Sequence, residues 1–362
     1  MLKGKGEMLM KNDEIFELIH KVSDSLKSTK NTSVNEVCKI GIIDVDNWEW
    51  AQGVGIYGLY RYCKQNNDAK ELEWIKNWID KNIQKGLPER NVNTTAPLLT
   101  VASIAGEDNN KEYLALCRDW ADWIDKKLPK TKFGGFQHVV SDGPNKQQLW
   151  DDTLFMTVLF MAKMGCIDSN EDYIKQCEYQ FLLHTNYLQD RKTGLWYHGW
   201  TFDGNHNFAD ALWGRGNCWI TAFIPDYLEM VDGNCEIKDF MISVLNAQVE
   251  ALGKYQDVSG LWHTLIDDSS SYLEVSATAG FAYGILKGIR TGILDEKYTD
   301  MAMKAVEGVI NNIAADGTVL NVSYGTGMGQ TLQDYKDIPI CPMTYGQAIV
   351  IMMLAELLNH IK

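Results

Sequence analysis

A short motif recurs along this 362-residue chain, and this repeat constrains the fold more than any other feature. Each copy is a polar turn followed by a short aromatic stretch, at 133–138, 189–198, 256–263 and 316–319. One glycine anchors each copy: Gly135, Gly194, Gly260 and Gly317. The spacing of these anchors is roughly 60 residues, a period typical of repeat architectures.

Helical segments of two kinds alternate between the repeats. The first kind is amphipathic and charged, as expected of half-exposed outer helices: Asp13–Ser25, Lys70–Ile83, Lys111–Lys127, Glu171–His184, Ile237–Leu252 and Lys297–Ile313. The second kind is apolar on nearly all sides, as expected of buried inner helices: Ala51–Tyr62, Thr95–Ala105, Asp152–Met164, Cys218–Val231, Val275–Ile289 and Tyr345–Leu358.

Six alternating pairs predict an all-α fold, the (α/α)6 barrel, in which six helical hairpins close into a toroid. We expect one domain over residues 1–362, since no Pro- or Gly-rich linker divides the chain. An open α-solenoid is the alternative, but it needs polar capping repeats at both ends. The segment Ala348–Leu358 is too apolar to be such a cap, which favours closure.

The charge balance restricts the partners. Lys and Arg number 34 and Asp and Glu number 48, so the net charge is 34 − 48 = −14. This charge argues against nucleic acid and against anionic membranes. No apolar run approaches the roughly 20 residues of a membrane span. An anionic ligand would therefore need local positive charge in its site.

The cysteines and the N-terminus indicate the compartment. Eight cysteines are present, and none forms a CxxC pair, so a zinc ribbon is not predicted. No apolar segment follows the lysines of Met1–Lys11, so we expect no signal peptide and a cytoplasmic protein with reduced thiols.

Tryptophans are concentrated where the chain enters the inner helices. Trp50 precedes one inner segment, and Trp213 and Trp219 flank the entry to another. Aromatic faces stack on sugar rings and line ligand sites, although any single Trp is as readily a core residue. Their repetition at one end of successive helices favours a carbohydrate site.

Two adjacent aspartates, Asp151 and Asp152, open an apolar helix after Trp150. Either one as an N-cap is the simple structural interpretation, but one cap needs only one aspartate. The helix dipole lowers the pKa of a carboxyl group there, and burial among aromatic residues raises it. A general acid needs the second effect to prevail, and the sequence leaves this balance open.

Further polar residues are candidates for ligand contacts. Arg215 stands between two glycines and can bind a carboxylate bidentately; a surface position, or pairing with Asp210, is the alternative. His138 and His198 follow two of the repeats, and they are either sugar ligands or structural residues. Asn93 is a turn residue or a ligand contact. The histidine spacing predicts no metal site.

Five runs together resemble glycoside hydrolase family 105, the unsaturated rhamnogalacturonyl hydrolases, and its relative family 88, the unsaturated glucuronyl hydrolases. These runs are 150–156, 198–200, 213–219, 324–327 and 344–347. The resemblance extends from about Trp48 onward and implies the same (α/α)6 barrel. Two positions depart from it: family members often carry an apolar residue in place of Asp151 and a glycine in place of Cys218.

The resemblance implies an unusual hydrolysis in pectin degradation. The substrate would be a Δ4,5-unsaturated uronic acid, galacturonyl from rhamnogalacturonan, at the non-reducing end of an oligosaccharide produced by a lyase. Asp152 would protonate the ring alkene and then accept a proton from water. The hemiketal formed at C5 would open and expel the leaving sugar, so the usual separation rules for two carboxylates do not apply.

The resemblance also implies roles for the remaining residues. Arg215 would hold the uronate carboxylate or a nearby hydroxyl, and Trp213 and Trp219 would stack on sugar rings. Three more residues would bind hydroxyls: Asn93, His138 and His198. Trp50 completes the substrate-binding set. No metal and no organic cofactor is implied, and the acidic oligosaccharide is the expected partner.

Four alternatives stay open. An unsaturated glucuronyl hydrolase is one, because C4 stereochemistry vanishes in the alkene. An inverting glycosidase would take its second carboxylate from Asp44, Asp46 or Glu49. A sugar epimerase would use His138 and His198, and a non-catalytic carbohydrate-binding protein would not need Asp152. We expect a monomer, since no apolar helix face is left unpaired.

Overall fold

A computed structural model of the chain describes residues 10–30, 41–233 and 235–361. Cys38 and most of the N-terminal segment examined for a signal peptide lie outside these residues. Fourteen α-helices occur in the described part, in this order: α1 (Asn12–Ser28), α2 (Trp50–Asn66), α3 (Ala69–Lys85), α4 (Val92–Thr95), α5 (Leu98–Asp108), α6 (Lys111–Lys126), α7 (Leu159–Asp168), α8 (Glu171–Leu188), α9 (Gly214–Val231), α10 (Lys238–Tyr255), α11 (Val275–Arg290), α12 (Thr299–Ile310), α13 (Leu332–Lys336) and α14 (Thr344–Ile361).

Six inner helices form a closed ring. Each packs against the next, and the last packs against the first, in the order α2, α5, α7, α9, α11, α14 and back to α2. Almost every residue of α14 is buried, as the apolar sequence predicted. The all-α barrel is therefore confirmed, and the open solenoid is wrong because α14 has a partner on each side.

The outer helices shield this ring, but they pair with it in a shifted order. Five inner helices pack against the outer helix that follows them in the chain, whereas α1 packs against α14. The alternation of segments in the sequence predicted that α1 packs against the inner helix that follows it, and this pairing was wrong. The structure instead joins the N-terminal outer helix to the C-terminal inner helix, and this pairing completes the toroid.

The repeated turns mark successive steps around the barrel. In each turn one glycine has a positive φ: Gly134 (78°), Gly194 (90°), Gly260 (88°) and Gly317 (85°). The anchor of the first copy is thus Gly134, and the choice of Gly135 was wrong by one residue. A β-carbon on Gly260 would lie 2.1 Å from the carbonyl oxygen of Lys304, in α12. One on Gly317 would lie 2.1 Å from that of Lys21, in α1, so α1 occupies the place of the next outer helix.

The connections at the two ends of the barrel differ in length. At one end, several inner helices turn into outer helices through two residues, the first with positive φ and the second an N-cap. Asn67–Asp68, Asn109–Asn110 and Ser169–Asn170 are these links. The long loops that carry the repeats lie at the opposite end, where the inner helices begin. A site that needs many loops belongs at that end.

An ionic network lies deep in the barrel, toward the short links. The carboxylate of Asp226, on α9, accepts hydrogen bonds from Tyr57 Oη (3.0 Å) and Tyr283 Oη (2.5 Å) and is paired with Lys287. Lys287 also lies 2.6 Å from Glu229, and its side chain is fully buried. Buried charges are tolerated only when paired, so this network is an internal structural element.

Two short antiparallel ribbons complete the fold: β1 (Gln148–Trp150) with β2 (Gly199–Thr201), and β3 (Trp262–His263) with β4 (Leu273–Glu274). Both ribbons lie in the long loops. Among the described residues, no helix is both long and apolar enough to cross a membrane.

Candidate active site

The β1–β2 ribbon brings two distant motifs together. Trp150 lies opposite Gly199 in the ribbon register, and the Asp151 backbone N–H donates to the carbonyl oxygen of His198 (3.1 Å). The residues after β1 and the residue before β2 are therefore neighbours. This pairing places Asp151, Asp152 and His198 at the long-loop end of the barrel.

Asp152 is the aspartate that faces open space. It lies just before a π-helical turn, Leu154–Val158, that leads into α7. Its side chain is 16% exposed, and its Oδ2 atom is 3.3 Å from His198 Nε2, off the direction of a hydrogen bond. Burial raises the pKa of Asp152, but the His198 contact and the charge of Arg215 outweigh burial and hold that pKa below its usual range.

His198 is oriented by a second loop. Its Nδ1 atom is 2.7 Å from the hydroxyl of Tyr335, on α13. Because Nε2 faces a carboxylate oxygen, the favourable tautomer carries its proton on Nε2, and Nδ1 then accepts from Tyr335. Burial lowers the pKa of His198, and the nearby Asp152 offsets this only in part, so the ring is neutral near pH 7.

Asp151 lies behind Asp152 and is completely buried. Neither of its carboxylate oxygens has a hydrogen-bond partner in the described part of the chain, so it is not an N-cap. Burial, followed by the charge of Asp152, raises the pKa of Asp151 far above its usual value. Its carboxyl group is packed against Gly216: a β-carbon there would lie 2.2 Å from Asp151 Oδ2.

These side chains are the described group closest to a metal-ligand set. Asp151, Asp152 and His198 each offer one ligand atom within 4.8 Å of the others. Nitrogen ligands must be unprotonated, whereas His198 Nε2 carries its proton in the favourable tautomer. Its Nδ1 atom is taken by Tyr335. In this tautomer only the two aspartates offer ligand atoms.

Arg215 lies on the first turn of α9, which begins at Gly214, four residues before the predicted start at Cys218. Its guanidinium is buried, and its Nη1 group contacts four acceptors: the carbonyl oxygens of Ser323 and Tyr324 and the hydroxyls of Ser323 and Tyr345, at 2.8–3.2 Å. The alternatives of a surface arginine and of an ion pair with Asp210 are therefore wrong.

The guanidinium of Arg215 is also enclosed by aromatic rings. Its Cζ atom lies 4.2 Å from the ring centroid of Trp213, 5.2 Å from that of Tyr345 and 5.6 Å from that of Trp50. Arg215 Nε has no partner among the described residues. Protein acceptors therefore fix the Nη1 group of the guanidinium, and its Nε–H group is left without a hydrogen bond to any described residue.

Five of the predicted site residues line one small cavity at this end of the barrel: Trp50, Asn93, His138, Asp152 and Arg215. The cavity encloses about 310 Å³ of space free of protein atoms, part of it open to solvent. His138 is held by Thr153 Oγ1 (2.8 Å) and stacks on Trp150, and burial lowers its pKa to about 3. His138 is thus a neutral hydrogen-bonding group.

Two of the predicted stacking residues do not face the cavity. Trp213 is 1% exposed and Trp219 is 0% exposed, and neither lines it. Trp213 packs on Arg215, and Trp219 packs on Phe155 and Trp50. The prediction that these rings stack on sugars does not fit this burial; they support the residues that face the cavity.

The chain is similar to known proteins over nearly its whole length. The sequence model for Glycosyl Hydrolase Family 88 matches residues 18–361. The chain belongs to glycosyl hydrolase family 88. It is therefore a glycoside hydrolase, and the resemblance to families 105 and 88 is confirmed.

Individual proteins show in more detail what this family 88 chain is similar to. It is 32% identical over 323 residues to the unsaturated rhamnogalacturonyl hydrolase YesR of Bacillus subtilis, with 87% of this chain and 91% of that protein covered. A crystal structure from Salmonella enterica, described as a possible member of the GH105 family, has a TM-score of 0.95 and 44% identity, covering 99% and 97% of the two chains. A family 105 hydrolase of C. acetobutylicum has a TM-score of 0.81 at 24% identity, covering 94% and 99%, and supports the fold alone.

A groove adjoins the cavity of this family 88 barrel and shares Val140 as a wall. Glu49 lines the groove and accepts a hydrogen bond from Ser141 Oγ (2.7 Å). Burial raises the pKa of Glu49 to about 7, and the Ser141 hydrogen bond lowers it in part. Of the three acids considered for a second carboxylate, Glu49 is the buried one.

The other two acids are salt-bridged near the surface. Asp44 Oδ1 lies 3.1 Å from Lys30 Nζ, and Asp46 lies 2.7 Å from Lys30 and 2.9 Å from Lys81. These lysines lower the pKa of Asp46 to about 2. Neither aspartate lines the cavity of Asp152, so neither fits the role of a second catalytic group.

Sequence reasoning missed the residues that hold this site from a distance. Glu274, at the start of α11, accepts hydrogen bonds from the Ser323 backbone N–H (2.9 Å) and the Ser276 hydroxyl (2.7 Å), and Ser323 in turn contacts Arg215. Tyr335 is another such residue. Its contact to His198 spans 137 residues of sequence, and no local pattern signals it.

Proposed function

We propose that this family 88 member removes a Δ4,5-unsaturated uronic acid from the non-reducing end of oligosaccharides released by a lyase. The supporting observation is that Asp152 is the sole carboxylate among the described residues that line the cavity, with the Arg215 guanidinium in the same wall. One acid facing one cation suits a reaction in which a single carboxyl group donates a proton and then accepts one.

The chemistry proceeds in three steps. Asp152 donates a proton to C4 of the ring alkene, which leaves a cation shared by C5 and the ring oxygen. Water then adds to C5 and gives a proton to the Asp152 carboxylate. The hemiketal opens and the leaving sugar departs. His198, at 3.3 Å, and Arg215 stabilise the carboxylate form of Asp152 between the two proton transfers.

Substrate binding falls to the other groups of the cavity. Arg215, which lines the cavity, attracts the uronate carboxylate against the negative charge of the whole protein. Trp50 offers an aromatic wall, and Asn93 and His138 offer hydrogen bonds to hydroxyl groups. The adjoining groove beside Glu49 takes the leaving sugar.

The galacturonyl unit of rhamnogalacturonan, and hence pectin degradation, is the first choice of substrate. The relative at 32% identity is named an unsaturated rhamnogalacturonyl hydrolase, whereas a relative at 24% identity is named an unsaturated 3S-rhamnoglycuronyl hydrolase. Both names refer to an unsaturated uronic acid linked to rhamnose, so the uronate and its rhamnose neighbour are the common element.

The test follows the ultraviolet absorbance of the conjugated alkene. Wild-type protein should abolish this absorbance with unsaturated galacturonyl-rhamnose, and more slowly with unsaturated glucuronyl disaccharides. The Asp152→Asn variant should lose turnover by about 10² to 10⁴-fold while it keeps most of its substrate affinity. No loss of absorbance with any unsaturated disaccharide, from folded wild-type protein, would refute the proposal.

A conventional inverting glycosidase is the second candidate, because Glu49 is a buried acid beside the cavity. In that case Glu49 would activate water and Asp152 would protonate the glycosidic oxygen. A saturated uronyl disaccharide separates the two functions, since alkene hydration cannot act on it. Release of sugar from the saturated compound, dependent on Glu49, would favour the conventional mechanism.

We also propose that the chain forms one domain and works as a monomer in the cytoplasm. Nearly all the hydrophobic core residues of the described part belong to one cluster, which supports a single domain. The described cysteines are free thiols, which suits a reducing compartment. Sedimentation of the purified protein and localisation in the native host test these statements.

A further inference from the structure

One buried group near the site has no role in the chemistry derived so far. Asp151 is 0% exposed, and neither of its carboxylate oxygens has a hydrogen-bond partner among the described residues. An ionised carboxylate in such an environment is very unfavourable, because burial removes its hydrating water and no hydrogen bond replaces that water. The neighbouring Asp152 carboxylate also has an oxygen, Oδ2, without a hydrogen bond.

We propose that Asp151 is a neutral carboxylic acid whose proton is shared with the Asp152 carboxylate, so that the two side chains act as one acid. Oxygen atoms of the two groups lie within 4.8 Å of one another. Without a positive charge on a bound substrate, two like charges so close in a buried site are very unfavourable, and a single proton between them gives each group a partner. The catalytic consequence rests on the proposed function; the shared proton itself does not.

Before substrate binds, the surroundings of Asp151 favour one negative charge in the pair over two. Arg215 supplies the permanent cation that faces the pair. The other titratable groups around the pair are neutral near pH 7: Cys218 on α9, His138 and His198 in the loops before β1 and β2, and Tyr335 on α13. Gly216 closes the remaining side, where a side chain would displace the acid.

This arrangement resolves a difficulty in the mechanism. The surroundings of Asp152 favour its ionised form, whereas the first step requires a proton on Asp152. The proton moves from the Asp151 oxygen to the Asp152 oxygen, and Asp152 passes it to C4 of the alkene. Both carboxyl groups are then ionised only while the substrate carries a positive charge on C5 and the ring oxygen, and this charge balances the second negative charge. The proton that water releases on adding to C5 returns to Asp152 and then to Asp151, which restores the starting state. Asp151 is thus a positioning residue that keeps a proton beside the catalytic one.

Infrared spectroscopy of the whole protein tests the shared proton directly. The carbonyl stretch of a neutral carboxylic acid is separate from the carboxylate bands. At pH 7 we expect this band in wild type and in Asp152→Asn, and a reduced band in Asp151→Asn. Glu49→Gln is the matched control, since Glu49 also contributes neutral carboxyl near pH 7. Equal bands in wild type and Asp151→Asn, or loss of the band in Asp152→Asn, would overturn the proposal.

The pH dependence of kcat/KM tests the consequence. Asn at position 151 fills the same space and donates a hydrogen bond, but it cannot transfer a proton. Relative to wild type, Asp151→Asn should lose activity about tenfold for each pH unit across the neutral range and recover toward acid pH. A profile parallel to wild type would refute the proton supply. If wild type has no turnover while the band is present, the proposed function fails and the shared proton stands.

Discussion

Gly216 on the first turn of α9 touches the carboxyl group of Asp151, and a β-carbon on that glycine would lie 2.2 Å from Oδ2 and 2.8 Å from Oδ1. The two residues belong to two of the five runs that carry the family resemblance, 150–156 and 213–219. The missing side chain at Gly216 leaves room for the Asp151 carboxyl group, so the two runs are in direct contact in the fold.

Gly216→Ala should displace Asp151 from its position behind Asp152. Overpacking of this kind costs about 1–3 kcal/mol of the free energy of unfolding. We expect kcat/KM to fall at least about tenfold, because the two carboxyl groups separate. Gly253→Ala, on the outer helix α10, is the matched control, since a β-carbon there meets only Met301 Sδ, at an ordinary 3.5 Å, and its φ is not positive. Equal kinetics of the two variants would show that the position of Asp151 is irrelevant to turnover.

Tyr335→Phe should leave His198 Nδ1 without its hydroxyl partner at 2.7 Å. A hydrogen bond of this type contributes about 1 kcal/mol, so kcat should fall about five- to tenfold with little change in KM. Steady-state kinetics and a thermal melt measure both quantities. Tyr255→Phe serves for comparison, because Tyr255 is a partly buried tyrosine at the end of the outer helix α10 and does not line the cavity. Unchanged kcat in Tyr335→Phe would remove Tyr335 from the site.

Glu49→Gln should alter the pH dependence of stability. The pKa of Glu49 is about 7 in the folded protein against 4.5 in an unperturbed chain, so the folded state binds more protons between these values. Its contribution to stability is therefore complete below pH 4.5 and is lost as pH rises toward 7. The variant should lack this slope, about 1.4 kcal/mol for each pH unit. Urea unfolding at pH 5 and pH 7 measures it, and identical slopes would contradict burial of the acid.

Lys287→Met should destabilise the fold without altering the site. It leaves the buried carboxylate of Asp226 without its cation, which costs about 3–5 kcal/mol. Asp226 is about 16 Å along α9 from Arg215 at 1.5 Å per residue, so kcat of the folded variant should be unchanged. The double variant Asp226→Asn, Lys287→Met should regain much of the lost stability. A double variant no more stable than Lys287→Met would argue against the unpaired charge as the cause.

The sequence predicts the barrel well because its inner helices are apolar on nearly all sides, whereas its outer helices are amphipathic. Small apolar residues on all sides of segments such as Ala348–Leu358 have no other stable location than a barrel interior. The sequence also predicts that Asp152, His138 and Arg215 come together, because Asp152 and Arg215 lie near the starts of inner helices and His138 lies in a loop that leads to one of them. It does not predict which face a tryptophan presents, and Trp219 is therefore misassigned.

The features that the sequence does not predict depend on contacts between distant segments. The start of α9 was placed too late because Gly214 and Gly216 disfavour helices, whereas the contact with Asp151 requires the second of them. The protonation of Asp151 also has no sequence signal. An aspartate before a helix is ordinarily a cap, and only burial without a partner distinguishes this one.

Closure of the ring by α1 and α14 has a consequence for synthesis on the ribosome. The apolar face of α1, formed by Ile15, Ile19, Val22 and Leu26, is fully buried in the finished protein. Within the barrel, that face is translated first and its partner α14 is translated last. The apolar face of α1 therefore cannot be buried until nearly all of the barrel has been translated. A product that stops before Thr344 leaves apolar surface bare on α1 and on α2 at once. Such fragments are natural clients of chaperones and proteases.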